Sequence, residues 1–484
     1  MRTKLSGCCV AFVLMSLALT ATALATGLPI VFVPPKDRSP DKVFIQFMGG
    51  SDFSAQYRDS NGALQPVSLF TAYSLTQLTN ATPIGSVGAN QPAVLLNSYS
   101  VGRIYISYGD NGLQDNALQQ QPSADNTSDL DYYTRWQYVE LTYAGTAFQI
   151  NLSYIDFTSI PISIAAVNAP HATNTPQLTT VFGFQLVAAA AQGSTTPYAA
   201  SLPNQTHFNS TFVRVLGSQL SSTIGATSYH DWQDYLQNFL PSKTATLNDC
   251  YIGAGNQPSA DPTTQQQPYN YTVSFQSDRI VLTPLSGSGD GSGPNICVGD
   301  GNAGTGIGDS ASNTITILHS DLLSTTTGVY SNNTPYTYIY NGTSHTTTGI
   351  ENDIFGRIAG DVLAGLSLGI FGSTTPFNGS TVGQLSSMYW WGGKNATTVV
   401  TGQDSVGGAK LYFSGLQSNK LYYDTYAASI YNVTAGYGSP FQDRLSTNLL
   451  TLDTGVDPDA SLVITITADA PPATAINDLL LLDQ

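Results

Sequence analysis

The sequence predicts a mainly β protein in which a mixed α/β domain interrupts a β domain. Short runs of alternating apolar and polar residues recur along the 484 residues, and Gly, Pro, Asn and Ser separate them, as is typical of antiparallel strands. Helical spacing of apolar residues occurs only between about residue 200 and residue 400. We therefore predict a β domain formed by residues 26–200 and 399–484, with residues 201–398 inserted in it.

The predicted strands share a two-residue alternation of apolar and polar side chains. They cover residues 42–47, 103–108, 138–143, 148–154, 180–186, 271–275, 279–283, 410–413 and 461–467. Two segments instead predict helices, because their apolar residues recur every three or four positions. These are residues 229–240, which end before Pro241, and residues 352–371, where four glycines lower the helix propensity.

The most regular alternation predicts a β-hairpin. Residues 136–143 and 148–154 form its two strands, and residues 144–147 supply the turn. In this hairpin Tyr143 pairs with Phe148, and the apolar face of both strands points into the core.

This register predicts a polar site on the other face of the hairpin. Glu140 would lie opposite Asn151, with Trp136 and Tyr138 beside it. Such a face suits a sugar, because rings stack on apolar sugar faces and carboxylates bind hydroxyls or transfer protons. The residues alone favour a simpler interpretation, in which Glu140 is a solvated strand residue and Asp156 caps the end of a strand.

The N-terminus predicts a secreted, extracellular protein. Arg2 and Lys4 precede a short apolar core at residues 10–19, and a small-x-small signal predicts cleavage of residues 1–25 near Ala25. Asn-x-Ser/Thr sequons recur throughout the chain and predict a glycosylated surface. No later stretch approaches the roughly 18 apolar residues of a membrane span.

The cysteines predict one disulfide. Cys8 and Cys9 leave with the signal peptide, so Cys250 and Cys297 remain and are expected to pair in an oxidising compartment. One bridge cannot be the framework of a chain this long, and the fold must depend on a packed core.

The charge pattern excludes several classes of partner. The formal net charge is -16, and no Lys/Arg cluster occurs, which argues against nucleic acids and anionic membranes. The five histidines are scattered without metal-ligand spacing, and phosphate-binding loops are absent, so we expect no metal and no cofactor. The sequence favours a neutral polar ligand.

The hairpin resembles a known family. Glu140-Leu-Thr-Tyr, followed by Asn151-Leu-Ser-Tyr-Ile-Asp156-Phe-Thr-Ser-Ile-Pro161, is similar to the Glu-Phe-Thr … Val-Asp-Phe-x-x-x-Pro core of glycoside hydrolase family 64. Its members are secreted β-1,3-glucanases that release laminaripentaose. Thaumatin-like proteins share a similar core at their acidic cleft. Residues 102–108 and 419–443 also resemble family segments.

The resemblance implies a fold and a catalytic pair. The fold would be a thaumatin-like β-barrel or sandwich with the mixed α/β domain inserted, and a wide groove between them. Glu140 would be the general acid and Asp156 the general base, while Thr142 would contact substrate. Ala144 stands where the family has a polar contact residue.

Four further residues are candidate sugar contacts. Tyr389 and Trp390 form either a stacking platform for glucose rings or part of a core. Arg103 faces either the acidic cleft or a structural ion pair. Asn151 lies in a sequon, but a glycan there would block the cleft. We therefore expect Asn151 to be unmodified and to donate a hydrogen bond to substrate or to a catalytic carboxylate.

Three functions are consistent with these features. The first is a monomeric, inverting endo-β-1,3-glucanase with short oligosaccharide products, in which Trp136 and Tyr138 keep Glu140 protonated while Asp156 stays ionised. The second is a thaumatin-like glucan-binding or antifungal protein without turnover. The third is a glycosylated structural wall protein, although the repeats and anchor expected of one are not visible. The presence of both carboxylates favours the first function.

Overall fold

Strands dominate the chain and build its largest sheet. The structure, a computed structural model, describes residues 27–114, 119–172, 178–194, 201–202, 213–220, 229–252, 266–285, 314–324, 328–331, 334–340, 342–347, 354–377, 379–385, 387, 390, 412–440 and 449–469. In chain order the strands are β1 (Leu28–Val33), β2 (Val43–Met48), β3 (Ser51–Arg58), β4 (Leu64–Pro66), β5 (Tyr73–Ser74), β6 (Ala93–Tyr108), β7 (Trp136–Ala144), β8 (Ala147–Leu152), β9 (Phe157–Thr158), β10 (Ile162–Val167), β11 (Ser201–Leu202), β12 (Arg214–Leu216), β13 (Thr244–Ile252), β14 (Gln266–Phe275), β15 (Arg279–Pro284), β16 (Ile315–Leu318), β17 (Tyr336–Tyr340), β18 (Thr343–Thr347), β19 (Pro376–Phe377), β20 (Ser380–Thr381), β21 (Leu450–Asp453) and β22 (Ser461–Ile466).

Helices are few and short. Among the described residues the α-helices are α1 (Gly183–Gln192), α2 (His319–Leu322), α3 (Ile354–Ser367) and α4 (Thr425–Tyr431); a π-helical turn at Asp234–Phe239 and short 3-10 turns accompany them. Within the described segments, no helix is long and apolar enough to span a membrane.

The main sheet has eleven strands and a barrel-like course. Its principal order is β10-β22-β1-β6-β7-β8-β21, and β2 and β3 add to the long strand β6. Its pairings are antiparallel except that of β1 with β22. A register shift in β6 separates its first half from the half that pairs with β7. The predicted mainly β class is confirmed.

The predicted hairpin is also confirmed. Strands β7 and β8 pair with Tyr143 opposite Phe148 and Glu140 opposite Asn151. The turn is two residues long, and Gly145 takes a φ of +62°, which only glycine adopts at low cost. Because side chains alternate along a strand, this register buries the apolar face. The buried residues are Val139, Leu141, Tyr143, Phe148, Ile150 and Leu152.

A six-stranded antiparallel sheet forms a second layer of structure, in the order β13-β14-β15-β16-β17-β18. Helix α3 belongs to the same hydrophobic cluster, and Ile358, Val362 and Leu366 are fully buried in it, as the helical spacing predicted. The chain leaves this helix through Gly369 at a φ of +75°. The predicted helix at 229–240 is reduced to the π-helical turn. The domain boundaries stay a prediction.

Two predicted strands are wrong. Residues 183–192 form helix α1 instead of a strand, because Leu186, Val187 and Ala190 recur at helical spacing and are buried in the main core. The predicted strand at 410–413 gives way to a short 3-10 turn at Phe413–Gly415. Residues 410 and 411, like the signal peptide at 1–25, lie outside the described residues.

Helix α4 connects the two cores. Tyr426 and Ile430 pack in the core of the main sheet, whereas Ala427 and Tyr431 pack in that of the six-stranded sheet. Asp424 caps the helix, since its carboxylate accepts from the backbone N of Ala427 at 3.0 Å.

Asp424 is buried where the two cores meet. Its carboxylate also accepts from the Ser218 hydroxyl at 2.9 Å. Burial raises the pKa of this carboxyl from 3.8 to about 6. The folded protein therefore binds the proton more tightly than the unfolded chain does.

The Asp424 carboxyl should make the free energy of unfolding depend on pH. Because the folded pKa is raised, its favourable contribution is full below pH 3.8 and is lost as the pH rises through about 6. The shift corresponds to a loss on the order of 3 kcal/mol. Asp424→Asn removes the titration: its amide oxygen can accept from the Ala427 backbone N, and its amide nitrogen can donate to the Ser218 hydroxyl. Denaturant titration at pH 4 and at pH 7 gives the free energy of unfolding of the variant and of the wild type. From pH 4 to pH 7 the variant should gain about this amount of stability relative to the wild type. An equal difference at both pH values contradicts the prediction.

Candidate active site

Glu140 lies on the solvent-facing side of β7 and forms an ion pair with Arg103. The two residues are directly opposite across β6 and β7. Glu140 Oε1 accepts from Arg103 Nη2 at 2.8 Å and from Nε at 3.0 Å, and each side chain is 35% exposed. The ion-pair interpretation of Arg103 is therefore confirmed, whereas its contact with a sugar stays a prediction.

An open groove lies over this face of the hairpin. Its cavity measures about 510 Å³, and Glu140, Thr142 and Asn151 line it. The other lining residues are Val101, Gly102, Leu141, Gln149, Tyr437 and Leu449. The groove thus contains three residues that the sequence predicted as site residues.

Asn151 lines this groove and carries an unpaired acceptor. Its Oδ1 atom is buried and has no hydrogen-bond partner within the described segments. Buried polar atoms are normally paired, so this unpaired oxygen is unusual. The absence of a glycan and the donor role expected of Asn151 both stay predictions.

Asp156 lies just beyond β8, and Tyr138 holds it. The Tyr138 hydroxyl donates to Asp156 Oδ2 at 2.8 Å. Burial raises the pKa of the Tyr138 phenol well above its ordinary value, and the charges of Asp156 and Glu140 raise it further. The phenol therefore stays protonated, and both carboxylates lie close enough to act on it.

The backbone of Asp156 is held by the segment after β12. The backbone N of Gly217 donates to the Asp156 carbonyl at 2.7 Å. A Cβ at residue 217 would lie only 2.1 Å from the Ile155 carbonyl oxygen, so this approach requires glycine.

The predicted aromatic flanks do not offer their faces to a sugar. Trp136 is 2% exposed and Tyr138 is 4% exposed, because both pack in a cluster with Tyr105 and Phe157. Their prediction as stacking residues is therefore wrong. The predicted enclosure of Glu140 between these rings is also wrong, since its close neighbour is the Arg103 guanidinium.

The predicted platform at Tyr389 and Trp390 is corrected in part. Trp390 is fully buried and packs edge-on against Phe371, so it presents no face to a ligand. Tyr389 lies outside the described residues. The predicted disulfide stays a prediction, because Cys250 lies in β13 but Cys297 is not described.

Sequence reasoning missed Gln121 and Tyr105, which hold Arg103. Gln121 Oε1 accepts from Arg103 Nη1 at 3.0 Å and from the Tyr105 hydroxyl at 2.8 Å. Burial raises the pKa of the Tyr105 phenol to about 12, so it remains a donor. Tyr105 could have been found, since it lies two residues beyond Arg103 on one strand face. Gln121 lies in a loop without periodicity, and no sequence signal pointed to it.

Arg214 was also missed, and it anchors the loop that covers the aromatic cluster. Its guanidinium donates to the carbonyls of Ala124, Asp131, Tyr132 and Thr134. Burial lowers the pKa of this group to about 9, which still leaves it charged at neutral pH. Arg214 thereby connects β12, which supports Asp156, to the loop that carries Gln121.

The described residues of this site offer carboxylates as the groups that could carry out chemistry. Two carboxylates, Glu140 and Asp156, approach the Tyr138 phenol, and Glu140 also lines the open groove. In the part of the chain that the structure describes, no group of three or more His, Cys, Asp or Glu residues could hold a metal ion. Paired carboxylates in a groove are the catalytic groups of glycoside hydrolases.

Comparison with known proteins agrees with this class, and the protein is a glycoside hydrolase. Residues 30–243, which include Glu140 and Asp156, match the model of glycoside hydrolase family 64, described as Beta-1,3-glucanase. The resemblance to this family is confirmed over these residues. No curated protein matches the chain significantly.

Solved structures similar to this chain include three described as β-1,3-glucanases. A laminaripentaose-producing β-1,3-glucanase in complex with laminaritetraose is 14% identical, with a TM-score of 0.49, over 92% of this chain and 100% of that one. A β-1,3-glucanase domain from Clostridium beijerinckii is 13% identical, with a TM-score of 0.45, over 91% and 98%. A laminaripentaose-producing enzyme from Paenibacillus barengoltzii with laminarihexaose is 17% identical, with a TM-score of 0.26, over 41% and 51%.

Proposed function

We propose that this protein is a secreted, inverting endo-β-1,3-glucanase that releases short oligosaccharides. The observation that supports it most is the placement of Glu140 and Asp156 around Tyr138, with Glu140 lining an open groove and both residues within the segment that matches the family. We also propose the finer fold, a thaumatin-like barrel with an inserted α/β domain and a wide groove between them.

In each carboxyl group the protein holds one oxygen. Arg103 holds Oε1 of Glu140, whereas Oε2 has no protein partner among the described residues. Tyr138 holds Oδ2 of Asp156, and Oδ1 likewise has none in the described segments. Each group therefore has one oxygen free for proton transfer, which general acid–base catalysis requires.

The neighbours of the two carboxyls suggest their roles. When Glu140 donates its proton to the leaving glycosidic oxygen, it becomes an anion, and Arg103 is placed to stabilise that charge. Asp156 accepts a proton from the attacking water through Oδ1. An inverting reaction needs room for this water, which corresponds to carboxyl groups about 6.5–9.5 Å apart, against ~5–5.5 Å in retaining enzymes.

Hydrolysis of linear β-1,3-glucan tests this proposal. The purified protein should release short oligosaccharides, and NMR during the first turnovers should show the new reducing ends as the α-anomer. Inversion of a β-linkage produces that anomer in one displacement. An initial β-anomer would show retention and overturn the assignment of roles. Binding of the glucan without any product would instead support the glucan-binding alternative.

A further inference from the structure

We propose that a second glucan-binding subsite, built on His171, extends the groove away from Glu140. We call it the His171 subsite, and its residues are Thr142, Gln149, His171, Thr451 and Asp453. They surround a cavity of about 350 Å³. The inference rests on the proposed function, because the ligand would be a more distant part of the same glucan chain.

The His171 subsite is continuous with the catalytic groove. Thr142 and Gln149 line both cavities. The two residues are a cross-strand pair on β7 and β8, and β8 pairs with β21, which supplies Thr451. A chain bound at Glu140 can therefore continue across β8 and β21 without leaving the surface of the sheet.

His171 is exposed but held rigidly by a buried carboxylate. Its side chain is 67% exposed, whereas that of Asp457 is 3% exposed. Asp457 Oδ1 contacts Nδ1 of the ring at 2.8 Å, and Oδ2 accepts from the backbone N of His171 at 3.1 Å. A carboxylate is only an acceptor, so Nδ1 carries the proton of this contact.

This arrangement leaves Nε2 of His171 for a ligand. With Nδ1 bound to Asp457, the orientation of the ring is set and Nε2 points away from the carboxylate. Second partners of this kind commonly orient a functional histidine. Because Asp457 has already restrained the ring, a hydrogen bond to Nε2 costs little further side-chain entropy.

The lining of the His171 subsite suits a neutral sugar. Gln149 and the two threonines supply donors and acceptors, while the exposed Ala144 and Ala147 add small apolar contacts. The lining residues include Asp453 but no Lys or Arg, which disfavours an anionic ligand. Sugars combine apolar faces with hydroxyl edges, and this lining offers contacts to both.

Calorimetric binding of a β-1,3-linked hexasaccharide tests the His171 subsite. The parent is Glu140→Gln, which should bind without turnover. Adding His171→Ala should weaken binding roughly 3- to 10-fold, the effect of losing one hydrogen bond to a neutral group. Adding His171→Gln, which keeps a polar group there, should restore part of the affinity. Adding His345→Ala, on the six-stranded sheet, is the matched control and should have no effect.

Kinetics separate this inference from a structural role and from the proposed function itself. With the catalytic residues intact, His171→Ala should raise KM for long β-1,3-glucan more than it lowers kcat. Unchanged affinity and KM would overturn the His171 subsite, and so would a fall in kcat alone. If instead the Glu140→Gln parent does not bind the hexasaccharide and the wild type does not hydrolyse β-1,3-glucan, the proposed function fails.

Discussion

Glu140→Gln and Asp156→Asn should each lower hydrolysis of β-1,3-glucan by roughly 100- to 10,000-fold, because each removes a proton-transfer group. The amides preserve the local contacts. A glutamine at 140 still presents an oxygen to Arg103, and an asparagine at 156 still accepts from Tyr138. Initial rates on linear β-1,3-glucan measure the loss, and thermal melting shows whether the fold is retained.

Asp278→Asn is the matched control for these two variants. Asp278 is another exposed carboxylate that contacts an arginine, since its Oδ2 lies 2.6 Å from Arg279 Nη2. It precedes β15 in the six-stranded sheet and lines neither cavity of the groove. The Asp278→Asn variant should hydrolyse β-1,3-glucan at the wild-type rate. Near wild-type turnover by the Glu140 or Asp156 variant would refute the assignment of that residue.

Arg214→Met should cause the largest loss of stability. Methionine retains much of the apolar stem but leaves the carbonyls of Ala124, Asp131, Tyr132 and Thr134 without their donor in the interior. Unpaired buried polar groups cost about 1–3 kcal/mol each. Partial relaxation of the loop reduces the sum, so we expect a loss of roughly 3–5 kcal/mol in the free energy of unfolding. Denaturant titration, monitored by tryptophan fluorescence, measures this free energy of unfolding.

Arg58→Met distinguishes this effect from the general loss of an arginine. The Arg58 guanidinium also donates to loop carbonyls, those of Gly62 and Pro83, but near the surface. Water can replace it there, so the cost should be about 1 kcal/mol or less. If Arg58→Met and Arg214→Met lower the free energy of unfolding equally, the burial of Arg214 does not increase its contribution to stability. The Arg214 variant should also lose activity, because β12 supports the backbone of Asp156.

Local periodicity was sufficient to predict the hairpin and its register. Side chains alternate along a strand, and a two-residue turn with glycine determines which residues pair. The pairing of Glu140 with Asn151 follows from these local rules. Asp156 lies after the strand ends, where periodicity stops, and only its resemblance to the family pattern indicated a catalytic role.

Periodicity failed where burial depends on segments distant in sequence. Trp136 and Tyr138 do lie on the face predicted for them, but Leu113 and Leu216 from other parts of the chain pack in the same cluster. Trp390 is buried in the core of the six-stranded sheet for the same reason. Residues 183–192 combine an alternating apolar pattern with a helical one, and packing in the main core decides for the helix.

The sequence by itself determined the mainly β class, the register of the hairpin and the two carboxylates of the candidate site. The tertiary structure alone decided what surrounds them. Gln121 reaches Arg103 from a loop, and Arg214 anchors that loop from β12. Asp457 orients His171 across 286 positions of the chain. The physical reason is that alternation and turns act between near neighbours, whereas burial, ion pairing and hydrogen bonding join residues that only the folded chain brings together.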